Sequence, residues 1–236
     1  MRKFLIALIV LAALLLAADF GARAYAESRT ADAVQAQLSL TAAPDVSIEG
    51  FPFLYHAVRG EYPQVIMTSS NIDNGLLPGI RAVLTLSQVT LPLRDAVSGN
   101  TSQLAAQSTV LQVLVPLTSL SAAMGQSNLT LSAAPDGSLA VTTSVSVLGQ
   151  QIPLTGTANI TVANDTLTLS VGSLSAAGVD LTPVITAAAN SLAGGLSRSF
   201  PLSGLPFSVT QADVSVVGGD VVISATTGPV LLSDLQ

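Results

Sequence analysis

The 236-residue chain has no cysteine, no tryptophan, a single histidine and only 9% charged side chains, and each shortage removes a class of function. Without cysteine there is no disulfide framework, no thiolate metal site and no thiol nucleophile. With His56 as the only imidazole, a histidine-based metal centre or a Ser-His-Asp triad would rest on one side chain. No Gly-x-Ser-x-Gly elbow accompanies it, so His56 reads as a surface or capping residue. Charge is scarce as well. Arg2, Lys3 and Arg23 precede residue 27, which leaves five of the 8 basic residues, all arginine, against 13 of the 14 carboxylates. Binding nucleic acid requires a basic stripe that displaces counterions from phosphates, and a nucleic-acid partner is therefore excluded.

The remaining polar chemistry is equally sparse. Asp136, Asp165, Asp180, Asp213 and Asp220 each fall in or beside an expected turn, where aspartate bonds to its own backbone. None of their spacings reports the paired carboxyls of a glycosidase. Asn100, Asn128, Asn159 and Asn164 open N-x-[ST] sequons, which arise readily in a chain so rich in Ser and Thr. No Walker loop, dinucleotide glycine fingerprint or calcium loop occurs. The expectation is a protein without cofactor, metal or catalytic residues.

What the chain does have is apolar content, 49% of its residues. Disordered segments are poor in such residues and rich in charge, so the chain folds, and its surface is wetted by Ser, Thr, Asn and Gln. Its length suits one large domain with a sizeable core. Arg2 and Lys3 precede an unbroken apolar run from Phe4 to Ala18, then Asp19, then Ala24-Tyr25-Ala26 just before Glu27. Residues 1–26 thus have the three regions of an export signal, with cleavage expected at or near Glu27. Fifteen helical residues rise about 22 Å, short of the roughly 30 Å hydrocarbon core. The alternative is an uncleaved anchor, because Phe20, Ala24, Ala31, Val34 and Leu38 continue one amphipathic helix. Under either reading the body, residues 27–236, lies outside the cytoplasmic membrane as one domain.

Residues 27–40 are helix-compatible and must end before Ala43-Pro44. The alternation of Val46 and Ile48 with Ser47 and Glu49 marks a strand over 45–51. Phe53 to Val58 reads as one or two helical turns stopped by Gly60. Strands are expected at 62–70, 80–91 and 108–115, a turn of helix at 93–97, and a short helix from Pro116 to Met124 closed by Gly125. From 127 the period of two recurs in a meander of hairpins turning at Pro135-Asp136-Gly137 and Asn164-Asp165. Val184, Ile185, Ala188 and Leu192 then repeat at three and four, predicting a helix over 181–194 that ends at Gly194-Gly195. A last hairpin runs from Phe207 to Ala225 around Gly218-Gly219. The class is α+β. One strand face is aliphatic and the other is Thr, Ser, Ala and Gln, which suits either a second layer or water.

The aromatics gather at three proline-punctuated clusters, Phe51-Pro52-Phe53-Leu54 with Tyr55, Phe200-Pro201-Leu202, and Leu205-Pro206-Phe207. Such rings are core staples or the greasy lining of a ligand cavity. Several of these segments resemble one known family. The basic-flanked apolar start running into an Ala-rich helix, the motif Asp45-Val-Ser-Ile-Glu-Gly-Phe-Pro-Phe-Leu54, the following Gly60-Glu-Tyr62, the stretch Leu139–Leu154 with its Val-Leu-Gly-x-x-Ile-Pro-Leu run, and the closing Leu205-to-Ala225 hairpin are together similar to the LmeA-like phospholipid-binding proteins of actinobacterial cell envelopes. The likeness covers roughly residues 1–228, and Gly-Phe-Pro-Phe-Leu is its most specific piece. It implies a secreted or membrane-tethered phospholipid binder. It also implies an elongated curved antiparallel sheet wrapped around one or two helices, as in tubular lipid-binding domains.

On that basis the expected partners are phospholipid and a membrane surface, and the expected lipid-facing residues are Phe51, Phe53, Leu54, Val184, Ile185, Leu192 and Phe207. The shortage of charge on the strand faces sets the chain apart from the family, and Arg59, Arg81 and Arg94 are the basic residues of the first half of the β-rich body. The rival classes are a structural or adhesive β-domain with a dry core, and an enzyme of envelope glycan metabolism.

Overall fold

The computed structural model describes residues 2–38, 40–72, 75–98, 103–126, 128–134, 138–147, 149–176, 183–202, 212–227 and 230–231. Helix α1 (Arg2–Leu38) is continuous across the Ala24-Tyr25-Ala26 triplet, followed by strand β1 (Asp45–Glu49), helix α2 (Phe53–Arg59), strands β2 (Glu61–Ile72) and β3 (Ile80–Thr90), helix α3 (Leu93–Ser98), strand β4 (Ala105–Pro116) and helix α4 (Leu117–Ala123). Strands β5 (Thr130–Ala133), β6 (Leu139–Val147), β7 (Gln150–Ala163) and β8 (Thr166–Ala176) come next, then helix α5 (Pro183–Leu196) and strands β9 (Arg198–Pro201), β10 (Asp213–Val217), β11 (Asp220–Thr227) and β12 (Val230–Leu231). The α+β class expected from the sequence is the class observed. Its strands are divided between two open antiparallel sheets, one in the order β1-β2-β3-β4-β11-β10 with β12 also on β4, the other β5-β6-β7-β8-β9.

The chain forms two compact units. The first holds residues 1–69, 83–111 and 226–236, and the second 70–82 and 112–225. In the first unit, Val46, Ile48, Phe53, Ala57, Tyr62, Val65, Leu84 and Leu86 are buried. Strand β1 pairs with β2 so that Ile48 stands opposite Val65, and the alternation read from the sequence puts Val46 and Ile48 inward.

The second unit is built on the expected meander. Asn164 and Asp165 have φ of 50° and 55°, the left-handed pair that a two-residue hairpin turn requires, and β7 and β8 register around them from Ala163↔Thr166 outward. Helix α5 packs on β8, and Ala189, Ala193 and Leu196 are buried. This differs from the sequence expectation in two ways. The helix runs through Gly194-Gly195 to Leu196, because burying Leu196 outweighs the roughly 1 kcal/mol that each helical glycine costs. The buried stripe is also rotated by about one residue from Ala188 and Leu192, which are half-buried. The outer face of β7, including Gln151, Thr155, Asn159 and Thr161, is exposed, so water covers this polar face. The closing hairpin β10-β11 joins the first sheet through β4 instead of extending the meander. The Pro135-Asp136-Gly137 turn lies outside the described residues.

Candidate functional site

Helix α2 starts where proline makes starting easy and capping hard. Pro52 is its N-cap, with extended backbone and no side-chain cap, so the first N–H groups of the helix need an acceptor from elsewhere. Asp19 supplies it from α1. Its Oδ2 accepts from the Phe53 N–H at 3.0 Å and its Oδ1 from the Leu54 N–H at 2.7 Å. The carboxylate also faces the positive end of the α2 dipole and is only 5% exposed. A charge that interrupts an apolar helix is thereby turned into the protein.

One and two turns further along α1 the same helix grips β1. Arg23 Nε donates to Glu27 Oε1 at 2.8 Å and Nη2 lies 3.6 Å from Glu49, while Glu27 Oε1 also accepts from the Ile48 N–H at 2.9 Å. The hydrogen bond to Glu27, aided by the nearby carboxylates, holds the Arg23 guanidinium above its ordinary pKa. Phe20 reaches sideways to Phe51, ring centroids 6.4 Å apart.

Helix α2 therefore has three sides. Phe53 and Ala57 face the core, with the Phe53 ring 6.2 Å from Tyr62, whose phenol is pushed up in pKa by burial. Leu54 and Val58, one turn apart, are exposed, as are Phe51 and Tyr55. On the third side Arg59 Nη1 donates to the Tyr55 hydroxyl at 2.8 Å and Nε to Glu61 at 3.2 Å, and its guanidinium lies over the Tyr55 ring. These contacts, the Tyr55 hydrogen bond first, raise the Arg59 pKa. The helix ends at Gly60 in the left-handed conformation, φ 66°. A Cβ there would stand 2.7 Å from the Leu91 carbonyl oxygen, so this part of the motif admits only glycine. His56 Nδ1 donates to the Glu61 carbonyl at 3.0 Å, the structural role expected of it.

Of the sequence-expected lipid-facing residues, Phe51, Phe53 and Leu54 come together around this helix start, with Phe51 64% exposed, Leu54 39% and Phe53 6%. Leu192 is half-buried on α5 in the second unit. Phe207 and the side chains of Val184 and Ile185 lie outside the described residues. Sequence reasoning missed Asp19, whose signal was present as a lone carboxylate breaking an apolar run, but whose partners lie 34 and 35 residues away.

It also missed Thr109 on β4, 7% exposed. Among the described buried side chains the Thr109 hydroxyl is without a hydrogen-bond partner. An orphan hydroxyl in an apolar wall costs about 1–3 kcal/mol. Thr109→Val is therefore expected to raise the thermal stability of the protein by about 1 kcal/mol in a melting experiment; a loss of that size would mean that the hydroxyl is satisfied. Among the described residues no group of three His, Cys, Asp or Glu side chains is placed to hold a metal ion.

Compared with known proteins, a family model described as LmeA-like phospholipid-binding matches residues 17–226. No curated protein and no solved structure matches the chain.

Proposed function

The chain belongs to the LmeA-like phospholipid-binding family, and from that premise we propose that it is a non-enzymatic phospholipid-binding protein of the bacterial cell envelope, held by an uncleaved α1 with its body on the extracytoplasmic side. The observation that carries the reading is the match over residues 17–226, which starts inside the apolar helix and includes Asp19, Phe20 and Arg23. Helix α1 is long and apolar enough to cross a membrane, and residues 2–18 are exposed throughout. With Asp19 turned into the protein, the apolar stretch extends in effect from Phe4 to Ala22, about 28 Å of helix, close to the roughly 30 Å of a hydrocarbon core. Arg2 and Lys3 at its start suit the cytoplasmic side, where basic residues accumulate.

In this reading the lipid is held by apolar side chains with few polar anchors, as expected of a lipid site.

Native mass spectrometry of the full chain, released from its own membrane in mild detergent, tests the proposal. Phospholipid retained in a fixed stoichiometry, and lost on competition with excess detergent, is the expected result. A lipid-free protein that also takes up nothing from phospholipid vesicles would overturn it and favour a structural β-domain.

A further inference from the structure

Helix α2 leaves an apolar side uncovered at a particular place. Asp19 is the residue at which α1 stops being exposed on all sides, and its carboxylate binds the first two N–H groups of α2 directly. The start of α2 is thus fixed, within a hydrogen bond's length, at the level where the apolar run of α1 ends. Phe20 and Phe51, 60% and 64% exposed, bring their rings together and make the outer surface of α1 continuous with that of the α2 segment. Leu54 and Val58 extend the surface by a turn, and Tyr55 with Arg59 borders it. Aromatic rings and snorkelling cations are the side chains that favour the boundary between acyl chains and headgroups. Leu93, 41% exposed, opens α3, which contacts α2.

We infer that Phe51, Leu54, Tyr55 and Val58 form a bilayer-docking face that seats the body on the same membrane α1 crosses. The occupant follows from continuity, since a lipid phase that surrounds the outer side of α1 up to Ala22 passes the level of Asp19 and reaches this face without any change in the protein. The inference rests on the membrane placement of α1 proposed above. Docking holds α2 in the interfacial layer and brings the body within reach of phospholipid without its leaving the membrane.

The absence of tryptophan from the chain makes the test direct, because any introduced indole is the only one. Three single variants of the full chain, Leu11→Trp, Val58→Trp and Ala36→Trp, are placed in phospholipid nanodiscs with and without brominated acyl chains. Ala36 is exposed on α1, about 26 Å of helix beyond Asp19. Leu11→Trp and Val58→Trp are expected to emit at shorter wavelength than Ala36→Trp and to lose most of their emission to bromine, and Ala36→Trp to keep its own. Tyr55→Trp, which preserves an interfacial aromatic, provides a second reading of the face if Val58→Trp fails to fold. Quenching at residue 11 without quenching at 58 and 55 would overturn the docking face and leave the anchor standing. No quenching at any of them would remove both, while phospholipid retention in the mass spectrum remains a separate measurement.

Discussion

Replacing Asp19 with Ala should lower the melting temperature of the full chain by about 4–16 °C. The side chain is 5% exposed and accepts two backbone hydrogen bonds, and its loss leaves two N–H groups at the start of α2 without acceptors, that of Phe53 buried and that of Leu54 partly so. Removing an N-cap costs roughly 0.5–2 kcal/mol, and hydrogen bonds to a charged group are worth about 1.5–3 kcal/mol each in favourable cases. A total of about 2–4 kcal/mol corresponds to that shift for a protein of this size. Asp19→Asn keeps one acceptor and the shape, and should lose about half as much. Circular dichroism melts in detergent decide it, and a wild-type melt for Asp19→Ala would show that the cap holds nothing. The same physics bears on the N-terminus. A chain beginning at Glu27 would lose Asp19, Phe20 and Arg23 together and should melt lower still. The membrane fraction is therefore expected to yield the Met1 peptide, and its absence, with Glu27 as the first residue, would mean that the body stands without this half of α1.

The difficulty of reading Asp19 from the sequence shows which parts of the fold were legible. Turns and short helices were, because their determinants are local. Pro52 and Gly60 bracket α2 within nine positions, Asn164-Asp165 turns the β7-β8 hairpin, and Gly125 follows α4. Strand faces were legible for the same reason, as Val46 and Ile48 show. Partners distant in the chain were not. Nothing within reach of Asp19 in the sequence indicates that Phe53 needs an acceptor, and the spacing of Val214 and Ile223 is equally suited to the meander sheet and to the sheet they join. The end of α5 was misplaced at Gly194-Gly195 because local glycine cost was visible and the burial of Leu196 was not. The candidate site was half legible. The motif around Phe51 stood out as a cluster, but which of its rings faces the core depends on a helix that begins at Phe53.

That helix start settles the two phenylalanines, and their substitution should separate them. Phe53 is 6% exposed and packs on Tyr62, so Phe53→Ala opens a cavity that a close-packed core does not refill. Such changes cost about 3–5 kcal/mol, roughly 6–20 °C in melting temperature at this chain length. Phe51 is 64% exposed and touches Phe20, itself exposed. Phe51→Ala removes surface already in contact with the surroundings, and its cost in detergent should stay within about 0.5 kcal/mol, as for surface positions generally. Its effect should appear instead in binding of the body to phospholipid. Indole quenching in the Val58→Trp background, with and without Phe51→Ala, reads that loss directly, since a ring at the acyl boundary contributes up to about 3 kcal/mol of apolar burial. Equal and large stability losses for the two variants, with quenching at residue 58 unchanged per folded molecule, would make both rings core residues and take Phe51 out of the lipid-facing set.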